Sequence, residues 1–114
     1  MQRSGRTWRW WRNIAPLGLM LTFDPSLSAA DGAPDAARLA NLVRQDCGAC
    51  HGLTLKGGLG KPLTVDHLSK WDRDQMVHII LEGVPGTPMP GWRLLLTEGE
   101  VRWIADMLKQ GALP

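Results

Sequence analysis

Two cysteines and a histidine stand within five residues of one another, at Cys47, Cys50 and His51. Cys-x-x-Cys-His is the spacing that attaches a c-type haem covalently, because two thiols at this separation reach the two vinyl groups on one edge of the porphyrin. The histidine that follows directly is then placed under the iron as an axial ligand. The segment therefore predicts one haem c, bound covalently through two thioethers.

Three other kinds of site use a similar pair of cysteines. A zinc site needs four ligands, and the remaining histidines, His67 and His78, are eleven residues apart, outside the usual H-x₃₋₅-H spacing. A thioredoxin-like redox pair needs a βαβ scaffold and would leave His51 unexplained. A plain structural disulfide is the third alternative. Haem attachment is preferred over all three.

The second axial ligand of the iron is predicted to be Met89, which follows the motif histidine by 38 residues. Pro88 and Pro90 flank it, and a rigid loop holds a thioether ligand at low entropic cost. Methionines more often fill gaps in a core, and that interpretation suits Met76 and Met107, which lie in predicted helices. The alternative is a second histidine ligand, drawn from the two histidines outside the motif.

Two further residues are candidates for cofactor binding. A haem-ligating imidazole needs an acceptor for its other N–H, and a loop carbonyl beside Pro62 could serve; the alternative is an ordinary turn proline. Trp92 could pack on the haem edge and donate its indole N–H to a propionate, or it could be generic packing. Trp103 is predicted to be a core residue that packs against the first helix.

Helical periodicity predicts an all-α protein with long loops. The three predicted helices span 35–47, 71–82 and 98–110. Gly48 is expected to loosen the chain after the first helix, Ser69 to cap the second, and Thr97 to start the third in a capping box with Glu100. Segments 52–66 and 84–92 are rich in glycine and proline and are predicted to be loops. Because three short helices bury little apolar surface, something besides the chain is expected to fill the centre.

The first thirty residues have the order of a secretory signal peptide: positive, then apolar, then small. Four arginines precede an apolar run at 14–23, and small residues follow at 26–30. Cleavage after Ala30 would make Asp31 the mature N-terminus. The alternative is an uncleaved anchor, but the run is about half the ~20 residues of a spanning helix. Because c-type haem is attached after export, the leader and the motif together predict the periplasm.

The charge of the chain depends on this leader. All 114 residues carry a formal net charge of +2, but without residues 1–30 the remaining 84 residues carry about −1. A nucleic-acid-binding protein would keep a basic patch, so we expect no nucleic-acid partner, and no membrane span after cleavage. The length also excludes large enzyme folds such as a TIM barrel, which need roughly 200 or more residues.

The motif, the glycine-rich loop with Pro62, and a methionine ahead of a capped C-terminal helix together resemble class I cytochrome c. The resemblance covers essentially all of residues 35–111, and segments 44–60 and 85–92 are similar to cytochrome c-55X, also called NirC, which belongs to the nitrite reductase cluster. It implies a small fold of three to four helices around one haem, with residues 31–114 as the cytochrome domain.

The same resemblance implies a function. It implies an electron-transfer protein, not an enzyme, that donates single electrons to cytochrome cd1 nitrite reductase in denitrification. A monomer is the default expectation for such a carrier. The alternative is an accessory role in maturing or inserting haem d1 of that reductase. An enzyme with an open haem site, such as a peroxidase or gas sensor, would require that Met89 not bind the iron. Four cations are predicted to form the surface that meets the partner: Lys56, Lys61, Lys70 and Arg73. The alternative is that they are scattered solvated charges.

Overall fold

A computed structural model describes residues 32–114. The predicted signal peptide, residues 1–30, lies outside the described residues. Within the described part the chain is helical and has no strand, which confirms the all-α prediction. None of the helices within 32–114 has the length and apolar composition needed to cross a membrane. They are α1 (Ala36–Leu42), a π-helical turn (Val43–Cys47), α2 (Gly48–His51), α3 (Val65–Leu68), α4 (Arg73–Glu82) and α5 (Glu98–Gln110).

The helical backbone that begins with α1 runs through both cysteines. Asp35 caps α1, and its carboxylate accepts the backbone N–H of Arg38 at 3.0 Å. The expected loosening of the chain at Gly48 is wrong, because this residue has a φ of −62° and continues the helix. The helix ends four residues later at Gly52, where a φ of +90° turns the chain away. Glycine tolerates this left-handed backbone because it has no Cβ.

The start of α4 also differs from the prediction. Asp72, not Ser69, is its cap: the Asp72 carboxylate accepts the N–H of Gln75 at 2.7 Å. The Gln75 side chain in return accepts the N–H of Asp72 at 3.0 Å, which completes a capping box. Ser69 instead follows the short α3, where its hydroxyl donates to the carbonyl of Asp66 at 2.7 Å. Helix α3 itself begins inside the segment predicted to be a loop.

Helix α5 has the predicted bounds and the predicted caps. Thr97 Oγ1 accepts the N–H of Glu100 at 3.3 Å, and the Glu100 carboxylate accepts the N–H of Thr97 at 2.8 Å. That backbone hydrogen bond, helped by the nearby Arg38, lowers the pKa of Glu100. Gly111 ends the helix in the left-handed conformation at φ +62°.

The core lies around α5, which contacts α1, α3 and α4. The buried residues of α5 lie on one stripe of the helix because their spacings of three and four match the helical period. Trp103 is half-buried and packs against this core. The most deeply buried side chains are Leu39, Val43, Val101 and Ile104.

Ion pairs on the surface join α4 to α5. Arg73 donates to Asp106 at 2.6 Å, and Arg102 donates to Asp74 at 2.9 Å. Exposed pairs of this kind contribute little to stability. The predicted role of Arg73 in a partner surface stays a prediction, although its guanidinium is paired with a carboxylate of its own chain.

Replacing Thr97 with alanine is expected to lower the free energy of unfolding by about 1 kcal/mol, because the first turn of α5 loses the acceptor for an N–H group. Thr97→Ser keeps the hydroxyl and should unfold like the wild type. Denaturant unfolding of the three proteins measures the difference. Equal midpoints for Thr97→Ala and wild type would mean that the capping box adds nothing to stability.

Candidate haem-binding site

The two cysteines lie on one side of the helical segment that follows α1. Cys47 ends the π-helical turn and Cys50 lies in α2, so residues three apart share a face. Both are free thiols; Cys47 is half-buried and Cys50 is exposed. Burial, with a further contribution from the charge of Asp46, raises the pKa of the Cys47 thiol to about 11. Of the two thiols of the chain without cofactor, Cys50 is therefore the more accessible.

His51 ends α2 with one ring nitrogen already engaged. Its Nδ1 lies 2.6 Å from the carbonyl oxygen of Lys61. A carbonyl can only accept, so the proton must be on Nδ1, and Nε2 is the nitrogen free to bind a metal. The acceptor is the carbonyl directly before Pro62, and Pro62 itself is half-buried beside it. The predicted role of Pro62 towards a cofactor stays a prediction.

The glycine-rich loop after α2 folds back onto the histidine. Gly57 N–H donates to the carbonyl of His51, and Gly60 N–H donates to the carbonyl of Cys50, both at 2.8 Å. A Cβ added at Gly60 would lie 2.8 Å from ring atoms Nδ1 and Cε1 of His51. At Gly58 it would lie 2.7 Å from the Cys50 carbonyl oxygen. The absence of side chains lets the loop pack against the imidazole at Gly60 and against the end of α2 at Gly58.

Met89 lies in a second loop, between α4 and α5. Residues Val84 to Thr87 form a turn in which Thr87 N–H donates to the Val84 carbonyl at 3.1 Å. Pro85 at the second position and Gly86 at the third, with φ +78°, are typical of a type II turn. The loop then returns, because Val84 N–H donates to the carbonyl of Met89 at 3.2 Å. Met89 is half-buried, and its backbone is fixed by this closed turn.

The end of the Met89 loop packs directly against the end of α4. A Cβ added at Gly83 would lie 2.7 Å from the Met89 carbonyl oxygen, and one at Gly91 would lie 2.7 Å from the Leu81 carbonyl oxygen. Trp92 N–H donates to the carbonyl of Ile80 at 3.0 Å. The Trp92 side chain is half-buried against the core. Its predicted contact with a haem propionate stays a prediction.

Large apolar side chains are exposed on both loops. Their exposed fractions are 96% for Leu59 and 75% for Leu53 in the glycine-rich loop. After the Met89 loop they are 98% for Leu94 and 71% for Leu95. A cofactor or a partner can cover these side chains without breaking hydrogen bonds to water, because the side chains carry no hydrogen-bonding atoms.

A groove on the surface is not part of this site. It has a volume of about 300 Å³ and lies between residues 54–56, 63–65 and the C-terminal end of α5, and none of the predicted ligands lines it.

The described residues offer no alternative site for a bare metal ion. Within 32–114 no group of three or more His, Cys, Asp or Glu side chains could hold one. His67 is half-buried on α3, and His78 is exposed on α4.

The donor set fits a haem. Two thiols share one face of a helix, the next residue presents an imidazole with Nε2 free, and a thioether stands in a loop held by backbone hydrogen bonds. Imidazole with thioether is a known axial pair of c-type haem iron.

The acceptor for His51 agrees with the sequence analysis, because the Lys61 carbonyl is a loop carbonyl beside Pro62. Sequence reasoning missed two other residues of this arrangement. Gly60 is needed for its contact with the ring, whereas its sequence context suggested only a flexible loop. Thr87, whose hydroxyl donates to the Val84 carbonyl at 2.7 Å, carried no signal except its position two residues before Met89.

Comparison with known proteins places these features in a family. The family model described as cytochrome c oxidase, cbb3-type, subunit III matches residues 34–108. Cytochrome c55X of Paracoccus denitrificans (strain Pd 1222) is 53% identical over 98 residues, which cover 83% of this chain and 94% of that protein. A dihydro-haem d1 dehydrogenase of Pseudomonas aeruginosa is 41% identical over 76 residues, which cover 67% of this chain but only 14% of that protein.

The solved structures agree with this assignment. A structure titled c-type cytochrome NirC superposes with a TM-score of 0.66 at 46% identity, covering 68% of this chain and 93% of that one. The prediction of a small class I cytochrome fold is thereby confirmed. The chain belongs to the c-type cytochromes, in the group of small proteins named cytochrome c55X.

Proposed function

We propose that this chain is a periplasmic carrier of single electrons that binds one haem c and donates electrons to cytochrome cd1 nitrite reductase. Cys47 and Cys50 would form the two thioether bonds, and His51 and Met89 would bind the iron. When bound, the cofactor supplies one-electron iron chemistry. The residues of the chain hold that iron in one geometry and exclude other ligands.

The observation that carries the proposal is that both axial donors are fixed by their own loops. The Lys61 carbonyl, 2.6 Å from Nδ1, sets the tautomer of His51, and the closed turn at residues 84–89 holds the backbone of Met89. Ligands that are held in place need little rearrangement when the iron gains or loses an electron. With both axial positions filled, no position is left for a substrate, which favours electron transfer over catalysis.

The proposed location and partner are supported by the N-terminal sequence and by similarity to known proteins, not by the geometry of the haem site. The N-terminal sequence has the order of a secretory signal, and c-type haem is attached after export. The similarity to cytochrome c55X and to a structure titled NirC supports service in the nitrite reductase system. Cytochrome cd1 nitrite reductase is therefore the electron acceptor to test.

The glycine-rich loop offers a surface for that partner. Lys56 and Lys61 are exposed on it, and Leu59 between them is 96% exposed. In the part of the chain that the structure describes, neither lysine forms an ion pair. Cations around an apolar centre suit a transient interface, because charge speeds the encounter and the small apolar contact lets the complex separate.

The test is stopped-flow mixing of the reduced holoprotein with oxidised cytochrome cd1 nitrite reductase at several salt concentrations. We expect fast oxidation that changes with ionic strength. The variant Lys56→Gln/Lys61→Gln should react about tenfold more slowly at low salt, and the difference should shrink as salt screens the charges. Lys61→Gln keeps the backbone carbonyl that accepts from His51, so the site itself is preserved.

A matched control separates local docking from net charge. Asn41→Asp/Gln110→Glu changes two exposed positions and lowers the net charge by the same two units. It should react like the wild type. An equal loss of rate in both variants would mean that only total charge matters. If the reductase does not oxidise a six-coordinate holoprotein at any salt, the donor role is excluded, and the accessory role in haem d1 maturation becomes the function to test.

A further inference from the structure

The loop that carries Met89 has few hydrogen-bond donors. Pro85, Pro88 and Pro90 lack a backbone N–H, so half of the residues at 85–90 can donate nothing from the main chain. A loop of this composition needs other groups to hold its shape. The Thr87 hydroxyl is one such group, and Thr87 is the last residue of the turn.

This hydroxyl makes two hydrogen bonds at once. Thr87 Oγ1 donates to the carbonyl of Val84 at 2.7 Å, and it accepts the backbone N–H of Met89 at 3.4 Å. The carbonyl of Met89 accepts the N–H of Val84 at 3.2 Å. Both backbone polar groups of Met89 are therefore held, and Thr87 supplies the partner on the N–H side.

The backbone at the end of α4 packs closely against the Met89 end of the loop. Gly83 packs so closely that a Cβ on it would lie 2.7 Å from the Met89 carbonyl oxygen and from the N of Gly91. Close packing transmits a local change instead of absorbing it. Loss of the hydroxyl would therefore act on the backbone of Met89 itself.

We propose that Thr87 is a positioning residue for Met89: its hydroxyl closes the turn and holds the thioether in place for the iron. The inference rests on the proposed function, in which Met89 is an axial ligand. Serine can replace threonine in this role, because its hydroxyl also donates and accepts at once. Valine has nearly the same shape but can do neither, so it leaves the Met89 N–H without an acceptor.

The measurement is the rate at which cyanide or imidazole displaces Met89 from the ferric holoprotein. This rate reports how often the thioether leaves its place. Loss of one hydrogen bond shifts a local equilibrium by about 3–10-fold, so Thr87→Val should exchange about 3–10-fold faster than wild type. Thr87→Ser should stay within about twofold of wild type. Thr54→Val, the same change at an exposed threonine of the other loop, is the control and should leave the rate unchanged.

Two results would overturn the proposal. One is a Thr87→Val protein with the same exchange rate as wild type, while wild type shows the near-infrared sulfur-to-iron band. The other is a Thr87→Ser protein as fast as Thr87→Val, because a hydroxyl would then not be the group that matters. If wild type lacks the sulfur-to-iron band, Met89 is not a ligand, and the ligand set of the proposed function falls together with this inference.

A second measurement does not depend on the valine variant folding. In wild-type holoprotein, the Met89 amide should exchange its proton with solvent about 3–10-fold more slowly than the Gly86 amide, after correction for sequence effects. Equal exchange would mean that the Thr87 hydroxyl does not hold the Met89 N–H, and would overturn the proposal.

Discussion

Replacing Gly60 with alanine is expected to displace the imidazole of His51 and to weaken its hydrogen bond to the Lys61 carbonyl. The new Cβ would lie 2.8 Å from two ring atoms, closer than atoms can approach, so the ring or the loop must move. Gly60 does not have a left-handed φ, and the effect comes from this contact alone. Overpacking of this kind costs about 1–3 kcal/mol of unfolding free energy.

The same change is expected to raise the reduction potential. The Lys61 carbonyl draws the proton on Nδ1 of His51 and makes the imidazole a stronger donor to the iron, which favours the oxidised state. A weaker hydrogen bond removes part of that donation. Voltammetry of the Gly60→Ala holoprotein measures the sign, and denaturant unfolding measures the loss of stability.

Gly99→Ala is the matched control for Gly60→Ala. Gly99 lies in the first turn of α5, and its nearest neighbour to an added Cβ is Thr97 Oγ1 at 4.0 Å. Alanine is preferred to glycine in a helix by up to about 1 kcal/mol, so this variant should be as stable as wild type or more so. Its potential should not change. A Gly60→Ala protein with wild-type potential and stability would show that the loop moves away freely and does not support the histidine.

The helices were predictable where local signals agreed with one another. Helix α5 has a capping box at Thr97, an apolar stripe and a terminal Gly111, and all three point to the same bounds. The start of α4 was wrongly predicted because Ser69 and Asp72 are both good caps, and the spacing of Asp72 and Gln75 was the local signal that distinguishes them. Asp72 is the observed cap, and Gln75 three residues later is the partner that completes its box.

The site was predictable in its side-chain ligands and only in part in the backbone that supports them. The spacing of Cys47, Cys50 and His51 indicates haem attachment, and a methionine between two prolines suggests a ligand held in a rigid loop. The carbonyl beside Pro62 was predicted, but the Gly60 contact depends on how the chain folds back, and residue types do not record this. Glycine is equally ambiguous: Gly48 continues a helix with φ −62°, whereas Gly52 ends it with φ +90°.

Replacing Met89 with alanine is expected to abolish the sulfur-to-iron band of the ferric holoprotein completely. The variant should also bind cyanide without waiting for a side chain to leave. Its reduction potential should fall, because thioether ligation favours the reduced iron. The fall should be on the order of 0.1 V, within the ~0.8 V range that axial ligands span. Visible and near-infrared spectra with voltammetry test all three effects.

Met107→Ala is the control for Met89→Ala, since Met107 is half-buried on α5 and belongs to the packing of the helix. It should lose some stability and keep the band and the potential.

Retention of the band by Met89→Ala would mean that another sulfur binds the iron. A wild type without the band, but six-coordinate, would point to His67 or His78 as the second ligand. Neither of these residues lies in a loop that hydrogen bonds close, because His78 is exposed on α4 and His67 is half-buried on α3. The backbone of Met89, by contrast, is held by a turn that the hydrogen bonds at Val84 and Thr87 close, and this difference favours Met89 as the ligand.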